Sequence, residues 1–220
     1  MNFSLLNTII VLLVILGSVI LHELAHGAVA YFLGDNTAKD AGRLTLNPLK
    51  HIDPYMSILV PVILYLLNAP VFGGAKPVPV NYHNLKGKEW GMALVAFAGP
   101  FTNFLLALVA FLLGHAFGLI GYQPGSGLYY AANSVPAFML AELVMINLGF
   151  MLFNLIPVPP LDGSRILYAI SPDFFREILS NLERYGVIVV YILILLFGQV
   201  LSSLMTNGMD AVLQFFNFLV

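Results

Sequence analysis

Five consecutive residues, His22-Glu23-Leu24-Ala25-His26, set two imidazoles and a carboxylate within little more than one helical turn. On a helix, positions four apart share a face, so both imidazoles can bind one divalent ion while Glu23 faces a water held by that ion. Such a set performs metal-assisted hydrolysis, with Glu23 as general base. The competing reading, polar residues packing between helices, is disfavoured by the surroundings. From Leu5 to Leu33 the only formally charged residue is Glu23, and a charge inside a membrane span costs about 2.5–3.5 kcal/mol even on the mild insertion scale. A catalytic zinc takes three protein ligands and keeps one position open. The residues after His26 are Gly27-Ala28-Val29-Ala30-Tyr31, so the third ligand comes from elsewhere, and the absence of cysteine restricts it to nitrogen or oxygen. His83 and His115 each stand alone. Asp162 follows Pro157, Pro159 and Pro160, which stop one helix, and it opens another over 163–170. There it serves either as an N-cap or as a ligand. Proline-broken backbone at membrane depth lines polar cavities, which favours the ligand.

The elements that must position these groups are membrane helices. Of 220 residues, 60% are hydrophobic and 9% charged, with a mean hydropathy of +0.91, whereas a soluble domain is roughly a quarter charged. The first apolar run, as a helix, reaches about 43 Å against roughly 30 Å of hydrocarbon. It is too long for a signal-peptide core and is read as a retained span. Further apolar stretches run from Tyr55 to Phe72, Trp90 to Ile120, Val135 to Ile156 and Val187 to Met205, with an amphipathic tail from Met209 to Val220. The expected fold is an all-α polytopic membrane protein of about 4–6 transmembrane or half-spanning helices, with short re-entrant extended segments near the active site. Residues 1–220 form a single domain, with a catalytic core over 5–170 and a C-terminal span and tail over 185–220. Nine basic residues against eleven acidic give a net charge of −2 with no run of Lys or Arg, which excludes nucleic acid as a partner.

Basic residues are enriched in cytoplasmic loops. Lys39, Arg43 and Lys50, then Lys76, Lys86 and Lys88, then Arg165, Arg176 and Arg184 mark three cytoplasmic stretches, while Gly121 to Ser134 has none and lies outside. Both loops flanking Tyr55 to Phe72 are basic, so that stretch dips in and returns, and its Pro61, Asn68 and Pro70 suit a broken segment. Asn47, Lys50, His51 and Asp53 either frame water access or form a solvated loop.

His22 to His26 in a first span, Ala98-Gly99-Pro100-Phe101-Thr102-Asn103 opening a later one, and Asn154 to Gly163 with its Leu-Asp-Gly ending resemble the site-2 protease family of intramembrane zinc metalloproteases. Leu44-Thr45-Leu46-Asn47-Pro48, His51-Ile52-Asp53-Pro54 and Gly74 to Val80 resemble its short bacterial and archaeal members, which lack a PDZ domain. The resemblance covers about residues 20 to 170, with the motifs in family order. It implies one zinc ion per chain on His22, His26 and Asp162, Glu23 as general base and acid, and hydrolysis of a peptide bond in or beside a substrate's transmembrane segment. It also implies that Asn154 positions substrate or steadies the oxyanion. The implied partners are transmembrane protein substrates and the lipid bilayer, and the implied location is a bacterial or archaeal plasma membrane with the active site toward the cytoplasm.

A helical substrate must unwind before its amides can be reached. Lys76-Pro77-Val78-Pro79-Val80 offers pairing groups on one edge only, because alternate prolines lack N–H, and reads either as a strand that docks the unwound substrate or as an ordinary loop. A membrane metal-ion carrier, and an inactive relative that binds membrane helices, are the alternatives from other functional classes.

Overall fold

The computed structural model describes residues 5–66 and 74–220. Helices come in the order α1 (Leu5–Phe32), α2 (Thr37–Asp40), α3 (Val60–Leu66) and α4 (Lys88–Ala116). A hairpin of β1 (Ile120–Gln123) and β2 (Gly127–Tyr130) follows, then α5 (Val135–Asn154), α6 (Asp162–Ile170), α7 (Asp173–Glu183) and α8 (Gly186–Phe218). Among the described residues α1, α4, α5 and α8 are long and apolar enough to cross a membrane. The protein is an all-α, multi-pass membrane protein.

The chain divides into two compact units, of which the first comprises 5–18, 100–154 and 199–220. Two of the divisions fall at or beside breaks in local helical rules, while the one after Ser18 falls inside α1. Pro100 lies inside α4, where it has no N–H to give, and Phe197 interrupts α8 with φ −118° and ψ 17°. In this unit Ile10, Val14 and Phe138 pack together, and Phe216 takes the rings of Phe104 and Phe111 at 5.5 and 5.6 Å. Its polar interior is a chain of amides. Asn103 Nδ2 donates to Asn147 Oδ1 at 2.7 Å, and Asn147 Nδ2 donates to Ser18 Oγ at 2.9 Å and to Leu143 O at 2.8 Å. All three side chains are buried. In an apolar medium such groups must satisfy each other, and here they tie α1, α4 and α5 together.

The second unit comprises 19–99, with the same gap, and 155–198. Ala30, Leu85 and Val95 form its apolar cluster. Asp35, just past the end of α1, is fully buried and accepts from Thr37 N and Oγ1, Asn81 N and Asn84 Nδ2 at 3.1, 2.5, 2.6 and 3.0 Å. Four donors on one carboxylate hold the 81–84 turn against the helix end. Burial alone would raise this carboxyl's pKa, but the donors outweigh burial and hold it below the usual carboxylate range.

One expectation is corrected and two stretches gain detail. Next to the stretch from Gly121 to Ser134 and within it, Ile120–Gln123 pairs antiparallel with Gly127–Tyr130, and Tyr122 OH donates to Asp210 Oδ1 at 2.5 Å. The tail from Met209 is not a separate element but the continuation of α8, whose break falls earlier, at Phe197. Of the stretch from Tyr55 to Phe72, Pro54–Leu59 forms a π-helical turn that runs into α3. Asn68, Pro70 and the expected return lie outside the described residues.

Candidate active site

Residues 22 and 26 are one turn apart on α1, and their rings meet edge to face with Nε2 atoms 3.0 Å apart. Asp162 Oδ2 lies 3.2 Å from the first and 3.4 Å from the second. This is the one such group found among the described residues. His26 Nδ1 donates to Val95 O at 2.7 Å, so its Nε2 carries the lone pair, as a metal-ligating imidazole requires. Two ring nitrogens and a carboxylate oxygen converge within 3.4 Å of one another, and with the rings neutral each can turn a lone pair toward one cation. Tetrahedral zinc with bonds of about 2.1 Å holds its ligand atoms about 3.4 Å apart, close to the observed 3.0, 3.2 and 3.4 Å. Nitrogen and carboxylate ligands without sulfur suit zinc.

Local sequence explains how Asp162 arrives. The prolines after Ile156 prevent α5 from continuing, and the loop closes through Val158 N to Ile156 O at 2.8 Å and Leu161 N to Val158 O at 3.0 Å. Leu161 takes the N-cap position with no side-chain cap, and Asp162 is the first helical residue. The N-cap alternative therefore fails, and the carboxylate points at the imidazoles. Gly163 lets α6 start close against this loop, because a Cβ there would lie 2.6 Å from Ile156 O and closer still to Leu155 O. Burial works against the Asp162 charge, but the two imidazoles prevail and hold its carboxyl down to about 2, so it is an anion across the ordinary pH range. Arg176 on α7 braces α6, its Nε donating to Tyr168 O at 3.1 Å and Nη2 to Ala169 O at 3.3 Å.

Two contributions escaped the sequence reading. Val95 supplies the carbonyl that orients His26. Gly99 supplies space: a Cβ there would stand 2.5 Å from His22 Cε1 and from His26 Cε1 and Nε2. The Ala98 to Asn103 motif was visible, but nothing in it said that its glycine faces the imidazoles. Glu23 is half-buried on the same helix, and its Oε2 accepts the Val78 N–H at 2.8 Å.

That contact corrects one expectation. Residues 76–80 lie outside any helix or strand, and they do not present free pairing groups at Lys76 and Val78. Lys76 N–H donates to His51 O at 2.8 Å, and Val78 N–H is turned inward to Glu23. His51 is buried rather than lining a water path, while Asn47 and Asp53 accept from Leu49 N and Tyr55 N at 3.1 and 2.8 Å and so shape their own loop. Asn154 belongs to the first unit, where its Nδ2 donates to Phe150 O at 3.0 Å within α5.

The family model for Peptidase family M50 matches residues 10–138 and 118–198. The chain belongs to peptidase family M50. Curated members share much of its length. It is 37% identical over 222 residues to a Bacillus subtilis (strain 168) protein named "Putative zinc metalloprotease YwhC", covering 97% of this chain and 93% of the relative. Two others carry the same zinc metalloprotease description. MJ0611 of Methanocaldococcus jannaschii is 32% identical over 76% of this chain and 73% of its own, and Rip2 of Mycolicibacterium smegmatis is 30% identical over 81% and 63%. No solved structure matches the chain. Membership in family M50 makes this protein a zinc metalloprotease of the site-2 protease type, in a short form.

Proposed function

We propose that the protein is an intramembrane zinc metalloendopeptidase that hydrolyses peptide bonds in or next to the transmembrane segments of membrane-protein substrates. The observation that carries this reading is the convergence of His22, His26 and Asp162, with Glu23 one residue from the first of them on a helix long and apolar enough to span a bilayer. The distribution of Lys and Arg supports a site toward the cytoplasmic side, and the relatives named above support a bacterial or archaeal plasma membrane.

His22, His26 and Asp162 would hold one zinc ion per chain. When bound it supplies a Lewis acid that polarises the scissile carbonyl and eases ionisation of a water. Glu23 takes a proton from the attacking water, whose oxygen bonds to the carbonyl carbon. The C–N bond then breaks, and Glu23 delivers its proton to the departing nitrogen. Asn154 positions the substrate backbone or donates to the developing oxyanion. Lys76, Pro77, Val78, Pro79 and Val80 keep their proposed place beside the substrate because Val78 sits at Glu23. Docking there uses groups other than the Lys76 and Val78 N–H.

The test is cleavage of a tagged library of single-span membrane proteins by purified protein in liposomes, with zinc measured in parallel. Glu23→Gln is expected to retain one zinc per chain and to lose cleavage. If Glu23→Gln cleaves as wild type does, the assignment of the base is wrong.

A further inference from the structure

We propose that Val78 is a positioning residue for the general base. Its backbone N–H, carried on a strap that Arg43, His51 and Asp35 pin at both ends, fixes the Glu23 carboxylate. The proposal rests on the proteolytic reading above, in which Glu23 moves the proton.

A glutamate side chain turns about three torsions, the last of them broad, so a base on a helix face needs a partner to hold one orientation. Val78 N–H supplies it to Oε2 at 2.8 Å and leaves the second carboxylate oxygen to receive a proton. The donor is only as fixed as its backbone, and residues 74–81 form no helix or strand. Both ends are held by other means. At Lys76 the N–H donates to His51 O at 2.8 Å, and the carbonyl accepts from Arg43 Nη2 at 2.6 Å. His51 is itself anchored, Nε2 donating to Thr45 O at 2.8 Å. At Asn81 the N–H donates to Asp35 Oδ2 at 2.6 Å. Arg43, His51 and Asp35 are 6%, 2% and 0% exposed. Arg43 and Asp35 bond backbone at the strap's two ends through their side chains, and His51 does so through its carbonyl.

The sequence of the strap makes its register unambiguous. Pro77 and Pro79 have no N–H, so Val78 carries the only donor between Lys76 and Val80, and a slip by one residue offers Glu23 nothing. The helix is shaped to receive it. Gly27 lies one turn beyond Glu23 on the same face of α1, and a Cβ there would come within 3.0 Å of Val78 Cγ1 and 2.6 Å of Leu44 Cδ2. The valine side chain is buried. Arg43 and Asp35 act on the reaction only through this strap.

Two measurements test the proposal, the first on zinc-free protein in micelles. Hydrogen exchange of the 15N-labelled Val78 amide should be slow in wild type and in Glu23→Gln, which keeps an acceptor. It should quicken by about tenfold or more in Glu23→Ala, the loss expected for a bond to a charged group. Arg43→Ala should quicken it too, and Arg43→Lys should restore part of the protection. Equal exchange in wild type and Glu23→Ala overturns the contact. The second measurement uses zinc-loaded protein and whichever library member wild type cleaves. Val78→Pro removes the N–H, while Val78→Ala keeps it and trims the side chain. Val78→Pro should lose on the order of 100-fold in kcat, as displaced catalytic groups do, with KM and zinc content little changed, and Val78→Ala, which keeps the N–H, should lose far less. Should the proline variant lose zinc, Arg43→Ala takes its place, with lower kcat at unchanged zinc content and partial rescue by Arg43→Lys. Equal kcat for the proline and alanine variants, or unchanged kcat in Arg43→Ala, overturns this proposal alone. A wild type that binds zinc and cleaves no library member overturns the proteolytic reading, and this proposal with it.

Discussion

Gly99 shows how much of a metal site is space rather than ligand. Its missing side chain is what allows His22 and His26 to turn their Nε2 atoms toward Asp162. Gly99→Ala is expected to push both rings from that geometry and to weaken zinc binding by about 10- to 100-fold, the range seen when groups that orient ligands are removed. Competition with a zinc chelator reads this directly, and unchanged retention would show that the imidazoles can move aside without loss. The three candidate ligands were legible in the sequence, because His22 and His26 sit at a helical spacing and Asp162 follows three prolines. Gly99, Val95 O and the Val78 N–H were not, since each acts across tens of residues through a backbone atom or an absent one. Residue type does not record such roles. Asp35 is a further case, a carboxylate that sequence reading passed over because it bears no motif.

At the scale of elements, two polar nodes hold helices where propensity alone would not. Asp35 joins the end of α1 to the 81–84 turn through four donors, and replacement by Ala leaves those donors without an acceptor, which costs about 1–3 kcal/mol. Its folded pKa lies below the unfolded value, so its contribution is present above about pH 4 and fades as pH falls through the folded value. Thermal unfolding in detergent should therefore show wild type losing more stability than Asp35→Ala as pH drops below 4. Parallel curves would mean that Asp35 is not held low. The amide chain of Ser18, Asn103 and Asn147 is the second node. Asn147→Leu should destabilise the protein by about 1 kcal/mol or somewhat more, as interhelical bonds in membranes do, and a midpoint unchanged in that variant would mean the node is neutral. The helices were legible as apolar runs, but their ends were misjudged where hydropathy stood in for helicity. Ser202, Ser203, Thr206, Asn207 and Asp210 lower the hydropathy of α8 without interrupting it. The hairpin was missed because Pro124-Gly125 was used only for its lack of charge, although that pair marks a turn.

For the whole molecule, the order of ligands along the chain has a consequence for how the enzyme is made. His22 and His26 belong to the first helix, whereas Asp162 lies most of the chain later, and a catalytic zinc site needs all three. At about 5–20 residues per second of synthesis, about 7 to 27 seconds separate the first pair from the third. Throughout that interval the nascent protein carries the glutamate proposed as its base with no complete metal cradle beside it. A delay between the base and the full cradle is thus built into the order of these residues along the chain. The catalyst comes into being only once most of its own helices have been delivered to the membrane.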